Sequence, residues 1–292
     1  MRDFEYVAPT SIDEAVQAFA GASGNARALV GGTDLIDQIR VGRRTPDLVI
    51  DMKRIPELDV LEYSAGSGLR IGAAVSCTRV HRHPDVKTNY PGIAIPSAFV
   101  GSVQIQNRAS IGGNIGNGAP SGDTIPPLIA LNATVTIAGP RGQRDEPLEG
   151  IFAGPGQLTL QPDEFLVEIK VPPPPPRSSS YYVRFIPRAE MDIAVAGVGV
   201  TLTVADGGRI DEVGIVLASV APVPIRATSA ESVVRGQVLN QELVREAGEK
   251  AVEAASPISD VRGSADYRIE LVKVLTRRAL ASCAGQLGVQ VS

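Results

Sequence analysis

Cysteine and histidine are scarce in this sequence, and their scarcity excludes several kinds of site. The only cysteines, Cys77 and Cys283, lie far apart, whereas an iron–sulfur cluster takes about four thiolates and a zinc site takes closely spaced ligands. The only histidines, His81 and His83, have no carboxylate or thiolate cluster nearby, which favours a surface turn over a metal site. We expect buried, reduced cysteines, no metal site, and chemistry carried by a cofactor if the chain is an enzyme.

Long apolar runs and an excess of positive charge are also missing. No stretch reaches the ~18 apolar residues of a membrane span, and residues 1–6 lead into no apolar run of a secretory signal. The formal net charge of −4 does not favour nucleic-acid binding. The longest basic cluster, Arg40, Arg43 and Arg44, is interrupted by a glycine and is interpreted as a solvated loop. We expect a soluble, cytoplasmic protein with no membrane span and no nucleic-acid partner.

The chain is long enough to bury a sizeable core, since 43% of its 292 residues are hydrophobic. We expect two or three subdomains. Five consecutive prolines, residues 172–176, cannot donate to a sheet and favour a stiff extended segment. This run is the clearest domain boundary in the sequence.

Short strands and helices are predicted before the proline run. Ser11 and Glu14 have capping-box spacing, which predicts a helix from Ser11 to about Gly21, and another helix is expected to begin near Ser76. Residues 91–104 have mixed helical character, and residues 112–127 are too irregular for one strand or helix throughout. Strands are predicted at residues 28–30, 48–51, 69–73, 133–137 and 165–171.

A hairpin and two helices are predicted after the proline run. Two β-rich stretches, residues 193–204 and 210–220, flank a turn and predict antiparallel strands. One helix is expected over about residues 240–255, and the last is expected to begin near Asp266. Because strands are followed by helices rather than alternating with them, the predicted fold class is α+β.

Two glycine-rich segments are the strongest candidates for chemistry. Residues 30–35 directly follow a predicted strand, and residues 110–118 lie ahead of Asp123 and Thr124. Each pairs two adjacent glycines with small hydroxyl, amide or carboxylate side chains. Neither has the spacing of a Rossmann fingerprint, and the sequence has no P-loop. Taken singly, each glycine pair is explained equally well by a tight turn.

Together the two segments have the chemistry of a diphosphate site. Glycine has no Cβ, so ligand oxygens approach its N–H closely, and successive N–H groups in a turn form a nest for anions. Thr33, Ser110 and Asn114 offer further donors, while Asp34 and Asp123 can accept hydrogen bonds from sugar or ribityl hydroxyls. The predicted ligand is therefore a dinucleotide, held where the segments converge.

The sequence resembles the FAD-binding medium subunit of the xanthine dehydrogenase and carbon monoxide dehydrogenase family, the molybdenum hydroxylases. The resemblance rests on residues 31–35, 110–115 and 123–131, which have the order and motifs of that subunit. Residues 182–194 resemble the start of its C-terminal domain, and residues 257–280 resemble its end. The match covers essentially the whole chain.

The resemblance implies an architecture in two domains. Residues 1–176 would form a two-part FAD-binding domain of the PCMH or vanillyl-alcohol-oxidase type, with subdomains at about residues 1–55 and 56–171 and a proline-rich linker at 172–176. Residues 177–292 would form a C-terminal α+β flavoprotein domain with an antiparallel sheet and helices.

It also implies the residues of the FAD site. Residues 28–35 would wrap the pyrophosphate through backbone amides, and residues 110–114 would form the second arm of the cradle. Asp123 would bind cofactor hydroxyls and Leu166 would contact the adenine side; Arg184 stands where the family often has lysine, which leaves its contact open. The implied residues are Ala28, Leu29, Val30, Gly31, Gly32, Thr33, Asp34, Leu35, Ser110, Ile111, Gly112, Gly113, Asn114, Asp123, Leu166 and Arg184.

Other positions depart from the family pattern or have a plainer explanation. Gln106 stands where relatives commonly have arginine, a minor departure, and Val100 replaces an aromatic residue that some relatives place near the flavin ring. Tyr181 or Tyr182 is a candidate to cover the ring instead, although core packing explains either tyrosine better. The alternating charges of residues 260–268 are interpreted as bracing for the last helix.

The implied function is that of an electron-transfer subunit with no catalytic residue of its own. A large molybdopterin-binding subunit would oxidise substrate, a small subunit would relay electrons through two [2Fe–2S] clusters, and FAD in this chain would pass them to quinone, NAD or oxygen. The complex would be a dimer of heterotrimers. The substrate stays open among carbon monoxide, purines, aldehydes and N-heterocycles.

Two other functions were weighed against this one. A stand-alone FAD-dependent oxidase would need a base or a covalent flavin link, for which His81 and His83 are the only histidines available. A scaffold that has lost its cofactor does not fit the intact glycines. Valine in place of Gly32 and Gly113 is expected to abolish FAD retention while leaving folding mostly intact.

Overall fold

The N-terminal part of the computed structural model, which describes residues 2–22 and 24–291, is a small parallel sheet with two helices. Its elements are β1 (Glu5–Val7), α1 (Ile12–Gly21), β2 (Ala26–Leu29), α2 (Leu35–Arg40) and β3 (Leu48–Asp51). The sheet order is β1-β3-β2, and both pairings are parallel. The turn between β2 and α2 contains the first glycine segment, and β2 begins and ends slightly before the predicted residues 28–30.

Helix α1 confirms the predicted start and end. The Ser11 Oγ accepts a hydrogen bond from the backbone N–H of Glu14 at 3.2 Å, which caps the helix. The Glu14 carboxylate reaches past the usual capping-box partner and accepts from the N–H of Thr10 at 2.7 Å. Ala15 and Phe19 are buried on the opposite face, so the helix is fixed by its cap and its apolar side.

The middle of the chain forms an antiparallel five-stranded sheet and a small hairpin. Its strands are β4 (Leu61–Ser64), β5 (Gly68–Gly72), β6 (Thr134–Gly139), β7 (Gly142–Pro147), β8 (Phe152–Gly154), β9 (Gln157–Leu158) and β10 (Phe165–Val171). The sheet order is β4-β5-β10-β6-β7, and β8 pairs with β9. Short 3-10 helices occupy Met52–Arg54, Pro56–Asp59 and Leu148–Ile151. The strand predicted at residues 165–171 is confirmed at its predicted bounds.

Six short helices connect β5 to β6. They are α3 (Cys77–Arg82), α4 (Pro84–Asn89), α5 (Pro91–Ser97), α6 (Val103–Gln106), α7 (Ile111–Asn117) and α8 (Ile125–Ala130). Ser76 caps α3 as predicted. His81 lies within α3 and His83 directly precedes α4, so the predicted surface turn at the histidines is wrong. Pro84 at the first position of α4 allows that helix to follow α3 closely. The irregular stretch contains α7 and the start of α8, separated by the left-handed Gly118.

The C-terminal part is a four-stranded antiparallel sheet covered by helices. Its elements are β11 (Ser178–Phe185), β12 (Ala196–Val204), β13 (Ile210–Ala218), β14 (Ile225–Arg226), α9 (Thr228–Val234), α10 (Gln241–Ala251) and α11 (Ala265–Gln286), with 3-10 turns at Asp206–Gly208 and Val252–Ala254. The strand order is β11-β12-β13-β14. The predicted hairpin is β12–β13, and the two predicted helices are α10 and α11.

Two hydrophobic cores contain most of the buried side chains. The largely antiparallel sheets, with helices grouped apart from the strands, confirm the α+β class. The first core lies among the N-terminal and middle sheets and their helices, and the second core lies between β11–β13 and helices α9–α11. Helix α8 joins the two cores, since the Thr201 Oγ1 donates to the Ala130 carbonyl at 3.0 Å. Within residues 2–22 and 24–291, no helix has the length and hydropathy needed to cross a bilayer.

Candidate functional site

A cavity of about 420 Å³ brings the two glycine segments together. Its size lies in the range of about 300–1,000 Å³ usual for small-molecule sites. β2, the turn after it, the first turns of α7 and the start of β10 supply most of its wall. The sequence-predicted residues that line it are Ala28, Val30, Gly31, Gly32, Thr33, Asp34, Leu35, Ser110, Gly112, Gly113, Asn114 and Leu166.

Direct packing joins the two segments. A Cβ added to Gly31 would lie 2.3 Å from the carbonyl oxygen of Arg108, two residues before Ser110. A Cβ on Gly113 would lie 3.1 Å from the Cγ2 of Val30. The chains approach this closely only because glycine has no side chain. The segments therefore form one wall of one cavity, as the dinucleotide hypothesis requires.

The first segment is a turn whose amides are free for a ligand. Gly32 has a φ of 73°, a left-handed conformation that favours glycine. Among the described residues, the N–H groups of Gly31, Gly32 and Thr33 donate to no protein acceptor. Buried or half-buried amides normally find a partner, and consecutive free amides in a turn make a nest for an anion.

The second segment opens a helix, which the sequence did not predict. Ser110 is the N-cap of α7, and its Oγ accepts from the N–H of Gly113 at 2.9 Å. The Oδ1 of Asn114 accepts from the Thr124 hydroxyl at 2.8 Å, so its amide NH₂ remains available as a donor. Ser110 therefore shapes the segment, and Asn114 keeps the donor role that its side chain suggests.

Asp34 belongs to a polar chain along the rim. The amide of Gln38 donates to the Asp34 carboxylate, and the Gln38 Oε1 accepts from the Nε of Arg44 at 3.1 Å. Gln38 also lies 3.3 Å from the Oδ1 of Asn117. Arg44 lines the cavity and is half-buried, and Arg40 is the last residue of α2, so the interpretation of this cluster as a solvated loop is wrong for both residues. The Gln38 contact turns the Arg44 side chain inward.

The opposite end of the cavity is aromatic and apolar. The rings of Phe19 and Phe165 stack with their centroids 5.4 Å apart, and both line the cavity beside Leu166. Glu164 lies next to them with its carboxylate bound by Arg144 at 2.6 and 3.0 Å. Hydrogen bonds from Arg144 lower the pKa of Glu164, with smaller help from the Gln161 N–H and the nearby Arg141. This end suits a flat aromatic ligand group.

Four predicted site residues lie outside the cavity lining. Leu29 and Ile111 pack behind the two segments, Leu29 half-buried and Ile111 fully buried. Asp123 and Arg184 form a buried ion pair, and the Tyr182 hydroxyl donates to Asp123 at 2.6 Å. Burial raises the pKa of Asp123, against the opposing charge of Arg184 and the hydrogen bond from Tyr182.

This ion pair nonetheless adjoins the cavity wall. The Arg184 guanidinium lies 5.0 Å from the ring centroid of Phe99 and donates to the Phe99 carbonyl at 3.3 Å. The next residue, Val100, lines the cavity. Tyr182 is wholly buried, and Tyr181 packs against the second core, as the packing explanation expects.

The cavity offers little protein acid–base chemistry. Among its described lining residues there is no cysteine, histidine, lysine or tyrosine. Cys77 and Cys283 lie elsewhere, and burial raises the pKa of each thiol to about 12. Within the described part of the chain, no group of three histidine, cysteine or acidic side chains is arranged to hold a metal ion. The site is built for binding and orientation.

Several lining residues escaped the sequence analysis. Arg27 adjoins the first segment, Asn117 ends the second, and Glu164 precedes the predicted strand. Asn117 could have been predicted, since it lies in the same glycine-rich run as Gly113. Nothing in the sequence indicates that Arg27 and Arg44 face the cavity, because their direction depends on how β2 and α2 pack.

Comparison with known proteins supports a dinucleotide ligand, and the similarity extends over nearly the whole chain. Residues 2–174 match the family model for the FAD binding domain in molybdopterin dehydrogenase, and residues 181–283 match the CO dehydrogenase flavoprotein C-terminal domain. The carbon monoxide dehydrogenase medium chain of Hydrogenophaga pseudoflava is 32% identical, covering 96% of this chain and 98% of its own. The glyceraldehyde dehydrogenase medium chain of Sulfolobus acidocaldarius is also 32% identical, with 97% and 99% covered.

A solved structure agrees with the fold throughout. It is that of the Hydrogenophaga pseudoflava carbon monoxide dehydrogenase lacking the Mo-pyranopterin moiety of its cofactor, and its matching chain is 31% identical with a TM-score of 0.93. The match covers 98% of both chains. The expected FAD-binding fold and the FAD cofactor are thereby confirmed.

Proposed function

Because this chain belongs to the FAD-binding subunits of the molybdenum hydroxylase family, we propose that it carries electrons from [2Fe–2S] clusters to an external acceptor. The observation that carries the proposal is a cavity with two glycine arms and no cysteine, histidine, lysine or tyrosine in its described lining. FAD supplies the redox chemistry, since flavins accept electrons singly or in pairs. The chain's own residues bind it, orient it and leave substrate oxidation to another subunit.

The amide nest and the second glycine arm are the proposed diphosphate site. The N–H groups of Gly31, Gly32 and Thr33 would hold phosphate oxygens, and the Asn114 NH₂ would add a donor. Asp34, fixed by Gln38, would accept from a ribose or ribityl hydroxyl. A Cβ in this wall would displace the ligand or separate the arms, so the glycines fit the group.

The remaining predicted residues keep proposed roles of different kinds. Leu166, with the stacked Phe19 and Phe165, would hold the adenine side. Asp123 and Arg184 keep a proposed role in binding the cofactor. They would act indirectly, through the contact of Arg184 with Phe99 and the adjoining cavity wall. Leu29 and Ile111 would act through packing behind the arms.

The proposed partners are a large molybdopterin-binding subunit and a small [2Fe–2S] subunit, assembled as a dimer of heterotrimers. Relatives named as medium chains or complex subunits support a multi-subunit complex. The substrate would be chosen at the molybdenum site of the large subunit, and the final acceptor would be quinone, NAD or oxygen. We also propose a cytoplasmic location, as part of the same multi-subunit assembly.

We also infer that the chain divides at the proline run into residues 1–176 and 177–292, with subdomains at about 1–55 and 56–171. The two separate cores support this division. The ranges of the two matched family models, 2–174 and 181–283, support it as well.

Anaerobic stopped-flow mixing tests the electron-transfer proposal. The small subunit, with its clusters chemically reduced, is mixed with the oxidised FAD-loaded chain, and flavin absorbance is followed. We expect flavin bleaching matched by cluster reoxidation. A flavin that stays oxidised would rule the proposal out, and flavin reduction by carbon monoxide, a purine, an aldehyde or an N-heterocycle with this chain alone would favour a stand-alone oxidase.

A further inference from the structure

Two arginines bring positive charge to the lining of the cavity. Arg27 lies in β2 and Arg44 follows α2, and both line the cavity. Arg27 donates to the Ala26 carbonyl at 2.8 Å, and Arg44 donates to the neutral amide of Gln38. Within residues 2–22 and 24–291, neither forms an ion pair with a carboxylate.

The described lining contains two acids, Asp34 and Glu164, and they are engaged differently. Glu164 is bound by Arg144 and Arg141, and the Asp34 carboxylate accepts from Gln38. Burial lowers the pKa of Arg27, and the positive charge of Arg44 lowers it further. Both guanidinium groups belong to the lining of one cavity, and a bound anion would offset their like charges.

The two arginines lie on either side of the amide nest in the sequence and line the same cavity. Arg27 lies four residues before Gly31, and Gln38 ties Arg44 to Asp34 at the other end of the same turn. A dinucleotide diphosphate carries roughly one negative charge on each phosphate. Guanidinium groups match phosphate oxygens in geometry as well as charge.

We propose that Arg27 and Arg44 are further binding residues that clamp the FAD diphosphate against the amides of Gly31, Gly32 and Thr33. This inference rests on the proposed FAD site. The amides supply short-range hydrogen bonds, while the arginines supply the charge that favours the dinucleotide over an uncharged flavin.

The test is FAD affinity at two ionic strengths, measured by flavin fluorescence on the full chain after removal of bound flavin. Arg27→Gln and Arg44→Gln should each raise the Kd about tenfold at low salt, as expected for lost charge-assisted hydrogen bonds, and the double variant should raise it about 100-fold. The wild-type Kd should rise with salt more steeply than that of the double variant.

Matched variants separate the clamp from general charge. Arg43→Gln removes the exposed neighbour of Arg44, which does not line the cavity, and should keep the wild-type Kd. Arg27→Lys with Arg44→Lys should recover part of the affinity. A double glutamine variant with wild-type affinity, or an equal loss in Arg43→Gln, would overturn the clamp.

The remaining outcomes separate a failure of the clamp from a failure of the proposed function. If the double variant fails to unfold cooperatively, the wild-type salt dependence decides, and a Kd that is insensitive to salt refutes the clamp. If the wild-type chain binds no FAD at all, both the proposed function and the clamp are refuted. Tight wild-type binding with unaffected glutamine variants refutes the clamp alone.

Discussion

At the scale of single residues, the space beside each glycine shows whether the fold or the ligand requires that the side chain be missing. A Cβ at Gly31 would collide with backbone at 2.3 Å, so that glycine is required for the two arms to meet. Gly32 has a left-handed φ of 73°, so the valine suggested from sequence would strain the turn itself. Gly116 lines the cavity, and a Cβ there would meet no protein atom within 4 Å.

Gly116→Leu is therefore the cleaner change. We expect purified chain with little bound FAD but unimpaired folding, because leucine favours helix more than glycine does and fills only cavity space. Flavin per chain by absorbance and the urea midpoint measure the two effects. Gly285→Leu, also helical and open, is the control. Equal FAD content in both variants would contradict the site.

The motif residues were predictable because glycine pairs with small polar neighbours signal close backbone approach within a short stretch of sequence. Arg27 and Arg44 were not, since a surface arginine and a cavity arginine have the same local sequence pattern. Asp123 was expected at the cofactor, but its carboxylate oxygens are engaged by Arg184 and Tyr182.

At the scale of elements, a buried acid directly before β10 ties this strand to the edge of the sheet. Glu164 accepts hydrogen bonds from Arg144, Arg141 and the N–H of Gln161. Its pKa is lowered from 4.5, chiefly by Arg144. A lowered folded pKa means that the carboxylate stabilises the fold above its unfolded value, and that this contribution is lost as pH falls through the folded value.

Glu164→Gln should lower the free energy of unfolding by about 2 kcal/mol at neutral pH, because hydrogen bonds to a charged acceptor are lost. The difference from wild type should shrink as the pH falls below 4.5. Urea titrations across pH measure it, with the exposed Glu57→Gln as control. A difference that stays constant with pH would exclude the ionised pairing.

Helix α11 braces the sheet through one buried side chain. Arg268 donates to the carbonyls of Val195 and Ser219 at 2.7 and 2.9 Å, and to Asp260 at 2.7 Å. The bracing interpretation of this run is thus confirmed for Asp260 and Arg268. These contacts join the residue before β12, the residue after β13 and the segment before α11.

Arg268→Met should lower the free energy of unfolding by about 3 kcal/mol, because it leaves Asp260 and two carbonyls without their donor. Arg278→Met, exposed on the same helix, should change it by less than about 0.5 kcal/mol. Equilibrium urea unfolding gives both values. Similar losses in the two variants would contradict a bracing role for Arg268.

Strands and long helices followed from apolar periodicity, as β10 and α11 illustrate. The short helix α7 did not, because glycine-rich residues have low helix propensity and its start depends on the Ser110 cap and on packing against β10. Tertiary contact overrides propensity there.

At the scale of the whole molecule, residues of the first core line the cavity. The Asp123–Arg184 pair connects this part to β11, which packs against the second core. The α+β class was predictable from element order. The meeting of residues 31–34 with 110–114 was an inference from shared chemistry, since nothing local in either segment encodes its distance from the other.

A crystal structure of the full chain with FAD is the most direct test. We expect the diphosphate within hydrogen-bond distance of the N–H groups of Gly31, Gly32 and Thr33, with the adenine toward Leu166. A flavin bound elsewhere, or a diphosphate that contacts neither glycine arm, would contradict this expectation.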